Sequence, residues 1–447
     1  KEAAPLNTWT HIAGTYDGST LKVYINGHLS NSRSVSGSID TNDNPVYIGH
    51  NEYNTAGDFT GIIDEVAIHN TALEPSEFYG LRYKPDNGII ESASFAPIHE
   101  VGSGGYNIWS IASADFDNDR DMDLLTGSSS GTNEIRIWKN PKNDPTSPQD
   151  PFSTTWSYQV VGDVSGGVGA LEVADLNHDG YIDIISGDNA HNIYIWKNSG
   201  DPFGGVWSTN YNIGDGVGNI NDIAVADFDG DGNIDVVSVS STGTGYEVIA
   251  WENPYPTDPF TLSWTDKNIQ DLTYSFYTVA VGDIDKDGLI DVVTGDSSNR
   301  VRIYENTYSG GTWGWSQHSL SAIDQSIYSI SLADFNTDGY LDIVSGGASG
   351  ELVVWENDAD ASFDWSFTQH DLPDSGGNIN DLITGDFDND GDLDFVAVSD
   401  TSTDEYELFL YTNVGGYCFI DEWLKTDIGN DNSNDFRAVC ALSLIHI

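Results

Sequence analysis

Six short stretches of this chain concentrate carboxylates at a spacing that suits a hard cation. They read ADFDNDRDMDLLTG, ADLNHDGYIDIISG, ADFDGDGNIDVVSV, GDIDKDGLIDVVTG, ADFNTDGYLDIVSG and GDFDNDGDLDFVAV. Each holds a nine-residue loop of the form D-x-[DN]-x-D-G-x-x-D. Side chains at positions 1, 3 and 5 offer oxygen to one centre, glycine at position 6 permits a sharp turn, and a carbonyl at 7 and a carboxylate at 9 complete an all-oxygen set. Such a set favours calcium over magnesium, which demands a tighter octahedron and gives up its water reluctantly. About six calcium ions are expected.

The ligand sets follow residue by residue. The first loop offers Asp115, Asp117, Asp119, Asp121 and Asp123, and the second Asp175, Asn177, Asp179, Tyr181 and Asp183. The third offers Asp227, Asp229, Asp231, Asn233 and Asp235, and the fourth Asp283, Asp285, Asp287, Leu289 and Asp291. The fifth offers Asp334, Asn336, Asp338, Tyr340 and Asp342, and the sixth Asp386, Asp388, Asp390, Asp392 and Asp394. At position 7 the main-chain carbonyl is the expected ligand. The first loop departs from the pattern in carrying Arg120 in place of glycine, which implies strain or a weaker site. An EF-hand shares the opening D-x-D-x-D-G but needs a glutamate at position 12 and flanking helices. Here position 12 is Thr126, Ser186, Ser238, Thr294, Ser345 or Ala397, between β-branched runs.

The elements that position these loops repeat with them. The first aspartates are 60, 52, 56, 51 and 52 residues apart. After each loop comes a second signature (IRIWKN, IYIWKN, VIAWEN, VRIYEN, LVVWEN, LFLYTN), and in most units an aromatic-Ser/Thr strand follows. Positions 2 and 8 of every loop are apolar and should anchor it. About four strands per unit at this period is the pattern of a β-propeller blade. A further unit starts at FRAVCA (Phe436 to Ala441), so seven blades are expected, closed in part by a strand near Ser94 to Val101. The fold class is all-β: a seven-bladed-type propeller of six full repeats and a truncated seventh, preceded by half of a β-jelly-roll.

These units resemble the FG-GAP/VCBS repeats of integrin-α-type β-propellers over residues 92–441. The resemblance implies that each loop joins strands A and B on one face and that its metal is structural. Residues 1–85, with WTHIAGTYDG, LKVYINGHL, VYIGHNEY and FTGIIDEVAIHNTALEPSEF, resemble the C-terminal half of a concanavalin A-like (laminin G type) domain. Asp64 and Glu65 read there as structural strand residues rather than a catalytic pair. His11, His28, His50 and His69 lack metal-ligand spacing. Residues 86–91 form a linker. Residues 442–447 (LSLIHI) break the repeat and read as a non-native tail, so the chain is expected to be a fragment cut at both ends.

Six positions before each first aspartate lie Trp109, Gly169, Asn221, Tyr277, Tyr328 and Asn380, with Phe436 as the equivalent in the partial unit. Such a ring of aromatics and amides near the axis suits sugar stacking or peptide capture, and equally suits packing of the channel mouth. No catalytic residue is assigned.

Composition bounds the rest. The chain has 447 residues, a formal charge of −55, 47 glycines and 13 tryptophans. That charge argues against nucleic acid or an anionic membrane as partner. Cys418 and Cys440 are the only cysteines, so no disulfide framework is expected. No apolar run approaches the ~18 residues of a membrane span. The expected function is extracellular, secreted or surface-displayed: calcium-dependent adhesion or carbohydrate recognition, with a polysaccharide or cell-surface protein as partner. The alternative is a polysaccharide lyase or an accessory module of a carbohydrate-active enzyme, drawing on His99, His191, His318, His370 and Tyr277. A purely structural spacer is the third reading.

Overall fold

The structure is a computed structural model. It describes residues 12–16, 20–25 and 28–34, then most of 100–429, and 438–440. Outside the description lie 103–106, 130–133, 143–149, 242–246, 321–324, 358–364, 388–390, 401–407, 414–422, 430–437 and a few single or paired residues. The N-terminal strands Ile12–Tyr16, Thr20–Ile25 and His28–Ser34 form one antiparallel three-stranded sheet. The linker, the tail, Asp64, Glu65, His11, His50, His69, His99 and Cys418 lie outside the described residues.

Six four-stranded antiparallel sheets follow, each a meander in the order A-B-C-D, so the described repeats make six propeller blades. In the third blade the strands are Ile220–Ala226, Asp235–Ser240, Val248–Glu252 and Thr265–Gln270. No α-helix occurs among the described residues; one 3-10 turn covers Ala348–Gly350. Strand B is buried along its whole length in the third, fourth and fifth blades (DVVSVS, DVVTGD, DIVSGG), which is why it reads as a β-branched run rather than an alternation.

The core lies between blades. Phe116, at position 2 of the first loop, packs with Leu171, Ile184, Trp196 and Trp207 of the second blade. Position 2 is buried at Phe116, Leu176, Phe228, Ile284 and Phe335, and its rings meet edge-on a tryptophan just before or at the start of strand D of the next blade, as in Phe116–Trp207 and Phe335–Trp423. Position 8 is only half-buried, so position 2 carries more of the anchoring. At position 12 the hydroxyl accepts the indole N–H of strand C: Trp138 to Thr126 at 2.9 Å, Trp196 to Ser186 at 2.9 Å, Trp251 to Ser238 at 3.0 Å and Trp355 to Ser345 at 3.0 Å. A hydroxyl there satisfies a buried donor, a task no EF-hand glutamate performs.

Blades also interlock through glycine. A Cβ on Gly162 would lie 2.4 Å from Trp196 of the next blade, and one on Gly214 1.9 Å from Trp251. Gly102 stands in the same relation to Trp138 of the first blade, at 2.2 Å. Val101 and Cys440 pack together against Leu124, Trp138 and Trp156 of that blade.

Candidate calcium loops and axial site

Each loop is wound by its own hydrogen bonds. In the third, the Asp227 carboxylate accepts the N–H groups of Gly230, Asp231 and Gly232, and Asp231 Oδ1 accepts that of Asn233 at 2.8 Å. Gly232 sits at φ +90°, the left-handed conformation that glycine tolerates. Arg120 holds the same place in the first loop at φ +74°, so that loop keeps its fold at the cost of strain.

Position 9 is the anchor. Asp235 Oδ2 accepts the Phe228 N–H (3.1 Å) and Oδ1 that of Asn253 (2.8 Å). The same two bonds recur at Asp123, Asp183, Asp291, Asp342 and Asp394. Burial pushes Asp123 and Asp235 up to about 8, and Asp183, Asp291 and Asp342 up to about 7. Backbone N–H donors pull against this, and the loop's other carboxylates push further up.

Do these residues fit a divalent cation? Carboxylate oxygens of Asp115, Asp117 and Asp123, of Asp227, Asp229 and Asp235, and of Asp283, Asp285 and Asp291 lie within 4.8 Å of one another. Asp283 Oδ1 and Asp117 Oδ1 are buried without a hydrogen-bond partner. Buried carboxylate oxygens left unpaired while crowded by like charges suit a hard cation. The second and fifth loops put Asn177 and Asn336 at position 3, which lowers their charge. Asp388 and Asp390 of the sixth loop lie outside the described residues, whereas Asp386, Asp392 and Asp394 lie within them. At position 7 the N–H groups of Tyr181, Leu289 and Tyr340 donate to the position-5 aspartates.

One residue ties loop to loop. The asparagine ending the strand-C signature donates from Nδ2 to the position-2 carbonyl of the preceding blade: Asn198 to Phe116 (2.9 Å), Asn253 to Leu176 (3.0 Å), Asn306 to Phe228 (2.7 Å), Asn357 to Ile284 (3.2 Å) and Asn413 to Phe335 (2.9 Å). Its own N–H is the one held by position 9. Local sequence flags the residue as recurrent but gives no hint of a partner more than seventy residues away.

At the other end of each inner strand is the axial site. Trp109, Gly169, Asn221, Tyr277, Tyr328 and Asn380 line one cavity of about 290 Å³, joined by Asn189. All six sit at β-bulges: the strand A–B register slips between Ile108 and Ser110, Val168 and Ala170, Ile220 and Asp222, Phe276 and Thr278, Ile327 and Ser329, and Ile379 and Asp381. A bulge re-aims one side chain against the two-residue alternation. The residue before the bulge is buried at Val168, Ile220, Phe276, Ile327 and Ile379 and half-buried at Ile108, while the bulged residue lines the cavity, as a side chain everywhere but at Gly169. Tyr277 and Tyr328 meet at 5.0 Å and 76°, Asn221 Nδ2 donates to the Phe276 carbonyl, and Trp109 is 39% exposed. Phe436 lies outside the described residues. Its neighbour Val439 donates its N–H to Asp381 Oδ2 (2.8 Å), just as Val279 donates to Asp222 Oδ2 (2.8 Å). Val439 therefore takes the place of Val279 in this bond.

Sequence reading missed three inward acids on the same strands. Burial pushes Glu172 and Asp222 up to about 7 and Asp381 up to about 6, with the charge of Asp222 adding to the rise at Glu172 and that of Asp381 to the rise at Asp222. Of the histidines named for a lyase, the described ones (His191, His318 and His370) are not among the residues lining the cavity. His318 and His370 pair with Glu305 (2.9 Å) and Glu356 (3.0 Å) between strands C and D, and His191 occupies a strand B–C turn.

Residues 1–78 match the concanavalin A-like lectin/glucanases superfamily. Residues 175–238, 283–345 and 334–397 match the FG-GAP-like repeat. No curated protein matches the chain. The repeat region is thus an FG-GAP-type β-propeller, in a chain whose N-terminal segment matches the concanavalin A-like superfamily.

Proposed function

We propose that this chain is an extracellular binding protein for adhesion or carbohydrate recognition, with calcium serving structure in the blade loops and ligand taken at the axial cavity. The observation that carries the reading is the set of six bulges in register, each aiming its residue into one cavity. Ring and loops stand at opposite ends of seven-residue inner strands, roughly 20 Å apart. Aromatic rings and amides at that mouth can stack on a sugar face and pair with its hydroxyls. Calcium would bring the loop carboxylates of one blade together and offset their repulsion, without chemistry on a substrate. Millimolar calcium outside cells suits such sites.

The ring is proposed to close with a seventh blade. Val439 repeats the inter-blade bond of Val279, and Gly102 repeats the fit of Gly162 and Gly214 against a strand-C tryptophan. Among the described residues no helix is long and apolar enough to cross a membrane.

The test is a glycan and cell-surface protein screen in millimolar calcium, comparing the intact chain with a Tyr277→Ala/Tyr328→Ala double variant. Binding that falls at least tenfold in the variant supports the axial face. Binding that is unchanged dismisses it.

A further inference from the structure

The loops differ in the residue that stands just before the strand-C asparagine. It is Lys139 in the first blade, Lys197 in the second, and Glu252, Glu305 and Glu356 in the third to fifth. Lys139 Nζ binds Asp117 Oδ2 and lies 3.5 Å from Asp119 Oδ2, with each of these side chains only about 15% exposed. Both aspartates belong to the set expected to hold calcium. Lys197 reaches the Asp179 carboxylate at 3.2 Å, and that pair is about a third exposed. The glutamates turn to strand D instead, meeting Lys267 (2.8 Å), His318 (2.9 Å) and His370 (3.0 Å).

We propose that the Lys139 ammonium is the built-in cation of the first loop, so that this loop stays free of calcium at concentrations that fill the third and fourth. The proposal rests on the calcium reading above. An ammonium and a divalent ion cannot share the same two carboxylate oxygens. Calcium entry would break two charge-assisted contacts and expel a mostly buried side chain. The exposed Arg120 adds a second positive charge to the same turn. In the third and fourth loops nothing comparable stands in the way, because Glu252 and Glu305 occupy the equivalent place. Yet the first loop groups its acids as tightly as those two, and Asp117 Oδ1 is still unpaired. One ammonium leaves most of its charge unmet, so removing the lysine should open the site.

The experiment counts bound calcium per chain, by titration calorimetry and native mass spectrometry, in the full chain and in Lys139→Gln. A gain of one calcium in the variant is expected. The reverse substitution, Glu305→Lys, should lose one from the fourth loop, and it tests the same idea should Lys139→Gln fold poorly. Equal, non-zero counts in all three proteins would overturn the proposal and leave the calcium reading standing. No calcium in any of them would overturn both.

Discussion

The asparagine latch permits a sharp test, because the structure provides its own control. Asn306 is 1% exposed, and its Nδ2 donates to two carbonyls, Phe228 across the blade boundary and Ile290 within the blade. Its Oδ1 also accepts the Tyr308 N–H at 3.0 Å. Asn140 in the first blade has the Met122 carbonyl and the Lys142 N–H, with no inter-blade acceptor among the described residues. Truncating Asn306 to alanine strands two carbonyls, at about 1–3 kcal/mol each. The exposed turn at Tyr308 can recover its bond from water. The expected loss is therefore about 2–6 kcal/mol for Asn306→Ala and about 1–3 kcal/mol for Asn140→Ala, a gap of about 1–3 kcal/mol. Both variants keep the backbone N–H held by position 9, so calcium ligation is not the variable. Urea unfolding in saturating calcium, followed by tryptophan fluorescence, reads the difference. Equal losses at the two sites, or less than about 1 kcal/mol at Asn306, would refute the inter-blade role.

Two further predictions follow from packing and charge. Without metal, burial pushes the position-9 carboxyls of the first five loops up to about 7 to 8, from 3.8 in an unfolded chain. A raised acid stabilises the fold at low pH and loses that contribution as pH climbs through its folded value. Metal-free protein should therefore lose stability as pH rises from about 5 to about 8, and calcium should raise the melting temperature more at pH 8 than at pH 5. A chelated protein that melts higher at pH 8 would contradict this. Gly214→Ala, whose Cβ would fall 1.9 Å from Trp251, should cost about 1–3 kcal/mol or more by overpacking between blades, read as a lower urea midpoint at unchanged slope.

The acidic loops were legible because their candidate ligands come from one contiguous nonapeptide, repeated with its flanking strands. The axial ring was legible as a set for the same reason, but its direction was not. Strict alternation puts Tyr277 and Val281 on one face, and only the slip between Phe276 and Thr278 sends Tyr277 to the cavity. Asn189 escaped notice because the strand B–C turns share no motif. Asp222 and Asp381 escaped because only two of the six blades carry an acid five positions before the first aspartate, and Glu172 because it stands alone at another position. Lys139 was plainly visible inside IRIWKN, yet its contact with Asp117 joins two segments 22 residues apart that only the blade's pleat brings together. Spacing therefore recovers what one loop does alone and loses what neighbouring strands do to it.

The latch also gives the propeller a direction. Every asparagine from Asn198 onward reaches back to the blade before it, so each repeat carries one donor for its predecessor and one carbonyl for its successor. A duplicated repeat brings both halves of this joint at once and leaves no partner stranded, whereas a cut inside a repeat separates them. Growth and loss by whole units is then the route of least damage for a lineage carrying this architecture. The repeated joint, rather than any single loop, sets the unit on which such change can act.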